Sequence, residues 1–370
     1  MRKTILPGST IGILGGGQLG RMMALKAREM GYKIAVLEPK KDSPCGKVSD
    51  HEVVSGYDDL DGARKLAELS DVITYEFENI THDTARWLEE NAYMPQGGEL
   101  LRVTQDRYVE KKAIQDSGLR VAPFETVDSN QDLKVALEKI GLPSVLKTRT
   151  GGYDGKGQWV LKTEKDVEAL TFPNVPCILE SWVPFQKELS VIVTRSVKGE
   201  TTTFPVGENV HVNNILHQTI VPARVDEAVK TKADEIGKKI ANSLQLVGTL
   251  AVELFLKDNE IYVNELAPRP HNSGHYTMEA CETSQFEQHI RAICGLPLGN
   301  TELLKPVVMG NLLGQHVTPL MNSISELGDA KLHLYGKDEA KPNRKMGHIN
   351  FLAPSTEEAM KRMNSWKLWQ

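Results

Sequence analysis

The sequence is poor in cysteine: Cys45, Cys177, Cys281 and Cys294 are scattered over 370 residues with no C-x-x-C spacing. That argues against a disulfide framework or a zinc site and for a reducing, cytoplasmic setting. Long apolar runs are missing too. None approaches the ~18 residues a membrane span needs, so no membrane role is expected. The opening stretch, MRKTILPGSTIGILGGG, is interrupted by Pro7 and its glycines and reads as a buried first strand, not a signal peptide. Nor is there an excess of positive charge. At a formal net charge of -5 the chain has no field to collect nucleic acid. Any anionic ligand must be caught by a local cluster of donors. Internal repeats and low-complexity tracts are absent.

What remains is ordinary globular composition, 40% hydrophobic and 25% charged. The length accommodates two or three domains of roughly 100–200 residues. In the first hundred residues strands at 10–14, 33–37 and 71–77 alternate with helices at 19–30 and 82–91, the second helix behind a Thr81 cap. That alternation predicts a parallel, doubly wound sheet and an α/β fold. From about Gln105 the pattern changes. Helices at 107–116 and 131–140 precede strands at 144–147 and 158–161, and 188–195 and 201–206 read as antiparallel partners. The longest helical pattern spans 227–245, and strands at 249–256 and 261–266 meet at Asp258-Asn259. Gly295-Leu296-Pro297 punctuates a boundary, followed by short strands and a terminal helix.

Gly15, Gly17 and Gly20 satisfy G-x-G-x-x-G between a strand and a helix, and Glu38 ends the next strand. This is nearly the dinucleotide fingerprint. Its physical content is narrower: backbone N–H groups at a helix N-terminus that bind an anion. Phosphate or substrate binding is a better reading than a nicotinamide cofactor, and close strand–helix packing would need the same glycines. Gln18 adds a side-chain donor and acceptor.

Between the strands at 144–147 and 158–161 lies Lys147 to Gln158, with four glycines (Gly151, Gly152, Gly155, Gly157) and the basic Lys147, Arg149 and Lys156. Glycine lets backbone amides crowd an anion and lets a loop open and close over a phosphoryl donor. Lys147, at a strand end, supplies a fixed cation. Read alone, the loop also fits an exposed hairpin tip. A second constellation favours the lid. Glu253 and Glu265 fall on adjacent predicted strands, and Mg²⁺ bound to phosphates takes one or two carboxylates. A three-residue loop, Asp258 to Glu260, brings them opposite each other on one face with Phe255, Ile261 and Val263; a two-residue loop separates them. Asn264 adjoins Glu265, and Arg269, His271 and Asn272 follow as a dense donor cluster able to hold a planar anion.

These residues together resemble the ATP-grasp superfamily and, within it, the N5-carboxyaminoimidazole ribonucleotide synthetases of purine biosynthesis. The likeness rests on GGGQLGRM at Gly15, ITYEFE at Ile73, RTGGYDGKGQW at Arg149, NELAPRPHNSGHYT at Asn264 and RKMGHIN at Arg344. The formate-dependent glycinamide ribonucleotide transformylases share the early glycines, but would be expected to carry aspartate at Asn272 and to lack GHYT. The resemblance implies a Rossmann-like N-terminal domain (1–100), a central α+β ATP-grasp domain (101–296) and a small, mainly-β C-terminal domain (297–370). It also implies a homodimer whose product passes to a downstream mutase.

By the same resemblance ATP, with Mg²⁺ (two ions, or Mn²⁺), lies between Arg107 and Lys147 on one side and Glu180, Ser181, Trp182 and Val183 on the other. Glu188 is on the ribose, His211 borders the nucleotide, and Asn264 and Glu265 close the site. Gly152, Tyr153, Asp154, Gly155, Lys156, Gly157 and Gln158 form the lid. The implied reaction is attack of bicarbonate on the γ-phosphate, then carboxylation of the exocyclic amine of 5-aminoimidazole ribonucleotide. Arg269, His271, Asn272 and Lys345 attend the chemistry, with Tyr153 at the lid tip and Asp154 as candidate base. Glu76, at a parallel-strand end, is assigned to the imidazole; Glu78 reads as solvated. The monophosphate falls to Gly17-Gln18-Leu19 and Arg344-Lys345. Lys156 counts as a phosphate contact, a point charge where some relatives have arginine.

Overall fold

The computed structural model describes residues 3–152 and 155–369. Its first sheet is parallel: β1 (Thr10–Leu14), β2 (Lys33–Glu38), β3 (His51–Val54) and β4 (Val72–Tyr75) lie in the order β3-β2-β1-β4. β1 and β2 are almost wholly buried, as strands covered on both faces must be. The helix Gln18–Glu29 turns Leu19, Met22, Met23 and Ala27 onto this sheet. The helix His82–Asn91 begins where Thr81 Oγ1 accepts the Thr84 amide. β4 stops at Tyr75, so Glu76 and Phe77 stand beyond its end.

A second, antiparallel sheet contains β5 (Phe124–Val127), β6 (Ser144–Thr148), β7 (Gln158–Leu161) and β8 (Cys177–Ser181) in the order β5-β8-β6-β7. The glycine-rich loop joins β6 to β7, with Lys147 paired to Gln158 at its base.

The third sheet holds the rest: β9 (Lys187–Arg195), β10 (Thr201–Thr203), β11 (Gly207–Val212), β12 (Ile215–Val221), β13 (Gly248–Lys257), β14 (Glu260–Ala267), β15 (Val307–Leu313), β16 (Lys331–Leu334) and β17 (Lys345–Leu352). Its order is β14-β13-β9-β11-β12-β15-β17-β16, with β10 on β9. The helix Glu227–Ser243 packs Val229, Ala233, Ile236 and Ile240 into the same core as Val191 and Val193 of β9 and Leu250 and Val252 of β13. Each of the valine, isoleucine and leucine side chains contributes about 2 kcal/mol by leaving water. The pairing of β12 with β15 makes the C-terminal strands a continuation of the central sheet, not a separate one. That continuity sets Lys345, at the start of β17, on the rim of the cleft described below.

The β13–β14 hairpin corrects one expectation. Its loop has two residues, Asp258 and Asn259, both at positive φ, and Lys257 pairs with Glu260. Ile261 and Val263 accordingly pair with Leu256 and Leu254 in the core, while Phe255 faces Tyr262 on the other side. A bulge then inserts Asn264, so that Glu253 still pairs with Glu265.

Candidate active site

A cleft of about 700 Å³ opens between the second sheet and the β13–β14 end of the third. Of the residues expected at the nucleotide, Arg107, Lys147, Gly152, Gly155, Lys156, Gln158, Glu180, Ser181, Trp182, Val183, Glu188, His211, Asn264 and Glu265 line it. Glu253, Arg269, His271, Asn272 and Lys345 line it as well. Gly157 serves the lid's base instead, its carbonyl accepting the Thr148 amide. Tyr153 and Asp154 lie outside the described residues.

One wall is positive. Lys147 Nζ and Lys111 Nζ lie 3.0 and 3.2 Å from the same oxygen, Glu180 Oε2. Arg107 stands close by, with Nη1 3.3 Å from Glu265 Oε2 and Nη2 3.3 Å from the Gly152 carbonyl. Burial alone would raise the Glu180 carboxyl, yet Lys111 and Lys147 hold it down to about 2. Burial, with the neighbouring Lys111 and Arg107, pushes Lys147 below the usual lysine range against the pull of Glu180. The low Glu180 value reflects three cations, Lys111, Lys147 and Arg107, gathered on one carboxylate. Lys111 was missed from sequence, though it sits one turn from Arg107 on the helix Arg107–Asp116 and shares its face.

The facing wall is negative. Burial and the opposed Glu265 carboxylate raise Glu253 to about 8. Glu110, on the same helix as Arg107 and Lys111, is raised to about 8 by burial and then by Glu265, and its Oε1 accepts the Leu266 amide at 2.8 Å. His211 hydrogen-bonds Glu188 through Nδ1. That bond and the glutamate's charge lift His211 above the usual histidine range despite its burial. Two carboxylates opposed on neighbouring strands, crowded enough to resist full ionisation, suit a hard dication that also binds phosphate. Glu253 and Glu265 therefore fit Mg²⁺.

Beyond the acids, Arg269 Nη2 makes an ion pair with Glu78 Oε1 at 2.8 Å. This corrects the reading of Glu78 as solvated: the side chain is three-quarters buried and tied to the donor cluster. Burial, then Arg269 and Lys345, drive His271 well below its ordinary value, so it is a neutral imidazole. Both amide atoms of Asn272 are buried without a partner, in a wall where such groups ordinarily find one.

The glycine turn of β1 is filled from within. Glu76 Oε2 accepts the Gly20 amide at 2.6 Å, Glu76 Oε1 accepts the Gly17 amide, and Glu38 Oε2 accepts the Gly16 amide at 2.8 Å. A Cβ on Gly17 would come within 2.5 Å of Glu76 Oε1. The anion at this helix N-terminus is thus the chain's own carboxylate. Glu76 is buried there and does not line the cleft, and burial raises its carboxyl against the two amides. Leu19 is a core side chain, and Gln18 does not line the cleft either. Arg344 is exposed, its Nη1 donating to the Glu339 carbonyl. Lys337, also missed from sequence, donates to the Lys345 carbonyl at 2.8 Å; burial and the nearby Arg344 lower it to about 8.

A glycine-rich loop beside a cleft set between two sheets, with basic and acidic side chains gathered in it, is the arrangement of an ATP-dependent ligase of the ATP-grasp class. Family models agree: the ribonucleotide synthetase preATP-grasp domain matches residues 8–105, the ATP-grasp domain 112–286, and the phosphoribosylaminoimidazole carboxylase C-terminal domain 307–362. The N5-carboxyaminoimidazole ribonucleotide synthase of Bacillus subtilis is 57% identical over 99% of this chain and 97% of its own. A Staphylococcus aureus N5-carboxyaminoimidazole synthetase structure complexed with ADP is 44% identical, covers 98% of both chains and superposes with a TM-score of 0.93. An Aspergillus clavatus synthase in complex with ADP and 5-aminoimidazole ribonucleotide is 32% identical, with a TM-score of 0.90 over 99% of this chain and 98% of that one. The chain belongs to the N5-carboxyaminoimidazole ribonucleotide synthase family.

Proposed function

We propose that this chain carboxylates the exocyclic amine of 5-aminoimidazole ribonucleotide at the expense of ATP and bicarbonate, in purine biosynthesis. The carrying observation is the charge of the cleft: Lys147 and Arg107, backed by the buried Lys111, converge on Glu180, and Arg107 reaches Glu265, which is paired with Glu253 on the neighbouring strand. That arrangement is complementary to a polyphosphate carrying a dication. Mg²⁺, or Mn²⁺, held by Glu253 and Glu265 would neutralise charge on the β- and γ-phosphates.

The chain's own residues then position and shield. Lys147 and Arg107, which line the cleft, receive the phosphates, with Lys156 a further contact and the buried Lys111 sharing the charge of Glu180 behind Lys147. Phe185 and Phe255, stacked with ring centroids 4.5 Å apart, offer an apolar surface near Trp182 and Val183 for the base. Glu188, fixed by His211, takes the ribose. Arg269, neutral His271 and the unpartnered Asn272 amide suit bicarbonate, whose oxygen attacks the γ-phosphorus while the bond to ADP breaks. The carboxyphosphate formed would then pass its carboxyl to the amine nitrogen, directly or as CO₂. Phosphate leaves, and the amine proton goes to a base for which Asp154 is the candidate. Tyr153 at the lid tip would exclude water from the short-lived intermediate. Lys337, Arg344 and Lys345 supply the positive end for the ribonucleotide's phosphate, and Glu76 would turn to the imidazole once freed from the glycine amides. We extend the reading to a cytoplasmic homodimer with domains at 1–100, 101–296 and 297–370, whose product is taken up by a mutase.

Two other readings are less favoured. A nicotinamide oxidoreductase would need the Gly15 turn for pyrophosphate, where Glu76 and Glu38 already sit. A formate-dependent transformylase is disfavoured by Asn272 and the GHYT continuation. The test is ADP and phosphate release by the purified protein with each substrate omitted in turn. The proposal requires ADP formation that depends on both bicarbonate and the ribonucleotide; saturating substrates that yield no ADP would sink it.

A further inference from the structure

The two halves of the site stand on different domains, and one buried chain of hydrogen bonds joins them. The Thr249 amide donates to His289 Nδ1 at 3.0 Å. An amide can only donate, so Nδ1 is the acceptor and the ring proton sits on Nε2. Nε2 lies 2.7 Å from the Thr74 hydroxyl and therefore donates to it. The hydroxyl's own proton goes to Gln96 Oε1 at 2.7 Å. The Gln96 amide nitrogen in turn donates to the Pro268 carbonyl, also at 2.7 Å. Each role is forced by the one before it. Thr74, Gln96 and His289 are all buried, so bulk water does not stand in for a lost partner.

Thr74, in the middle of this chain of bonds, and Pro268, at one end of it, each adjoin a segment of the site. Thr74 is two residues before Glu76, at the end of a parallel strand where ligands of such sheets bind. Pro268 immediately precedes Arg269, the first residue of the donor cluster. The Arg269–Glu78 ion pair ties the same two segments again at the cleft. A tie needed only to hold two domains together could grip anywhere along their contact; this one grips each segment just before it enters the site.

We propose that Thr74 is a positioning residue: through Gln96 it holds the Pro268–Asn272 segment against the end of β4, fixing the separation between the ribonucleotide amine and the carboxyl donor. This rests on the carboxylation reading above. It assigns to a buried threonine that does not line the cleft an influence on one substrate and not the other.

Full-length wild type, Thr74→Val and Thr74→Ser decide it, assayed for ADP release over ranges of ATP and of 5-aminoimidazole ribonucleotide, with thermal midpoints measured alongside. Valine keeps the shape and removes the hydroxyl. Because misplacing reacting groups by ~1 Å costs up to ~100-fold, kcat/KM for the ribonucleotide should fall about tenfold or more while KM for ATP stays within about twofold. Thr74→Ser restores the hydroxyl and should recover most of the loss. No loss, an equal loss for both substrates, or a serine variant no better than valine overturns the inference. If Thr74→Val does not fold, Gln96→Met cuts the chain one link further on and is judged by the same criteria; failure of both to fold marks the tie as structural only and also overturns it. Absence of ribonucleotide-dependent ADP release in wild type is a different failure. It sinks the carboxylation reading itself.

Discussion

Glu253 and Glu265 stand directly opposite each other across a hairpin whose two-residue turn, continued in regular register, would have kept them apart. The insertion of Asn264 brings them together. Like charges opposed across strands destabilise each other, so metal-free protein carries a penalty that a dication removes. Glu253→Gln should stabilise the protein in chelator by about 1 kcal/mol, seen as a higher urea midpoint. Turnover should fall by about 100-fold or more as phosphoryl charge loses its partner. A variant that is both more stable and fully active would contradict the assignment.

Lys147 shares Glu180 with Lys111, so its removal leaves the glutamate paired. Lys147→Met should therefore fold normally and weaken ADP binding by about tenfold, roughly 1.4 kcal/mol. Isothermal titration with ADP and magnesium reads this directly. Lys147→Arg should rescue little, because the longer, forked side chain does not fit a point-charge position.

Gly155 has φ of 80°, and a Cβ there would meet Asn214 Nδ2 at 2.6 Å. Left-handed backbone costs a non-glycine residue about 1–2 kcal/mol. Gly155→Val is thus expected to hold the lid away from the β11–β12 turn. The expected result is a kcat lower by about tenfold at an unchanged melting temperature. Loss of stability with kcat intact would show that the loop is not a lid.

His289 is held neutral by burial, its folded value lowered from 6.5 to about 3. Between those values the unfolded chain binds a proton that the folded chain does not. Stability is therefore fully present above pH 6.5 and is lost as pH falls, by up to ~1.4 kcal/mol per pH unit. Burial likewise lowers His275 and His348, so their contributions have the same sign. Glu110 and Glu253, raised to about 8, contribute with the opposite sign over the same range, so the test is the difference between proteins: from pH 7 to pH 5 in urea, His289→Gln should lose less stability than wild type. An identical pH dependence in the two proteins would contradict this account.

Much of the site is local and could be read in the chain. Lys147 falls at a strand end, the glycines follow it, and the helix Arg107–Asp116 has its start marked by Asp106, which caps Tyr108 and Val109. Side-chain period and turn chemistry carry such information over a few residues. The sequence sends Glu76 to the cleft and leaves Glu78 in solvent, whereas the structure puts Glu78 in the cleft on Arg269 and Glu76 in the glycine turn. Which of the two meets Arg269 and which sits in the glycine turn depends on segments 191 and 59 residues away in the chain.

By itself the sequence determined the alternation of strands and helices in the first hundred residues, the glycine-rich loop between its two strands, and the identity of the acids and donors that meet at the cleft. Their meeting was decided elsewhere. β14 is an edge strand, and its free side is held by Val263 donating to the Arg120 carbonyl, Leu266 donating to Glu110, and Asn264 accepting from Lys111. Those three contacts come from the segment 110–120, far off in sequence, and they frame the bulge that sets Glu253 against Glu265. A bulge shifts facing by one residue while leaving composition and periodicity almost unchanged. Only the packed structure could decide it.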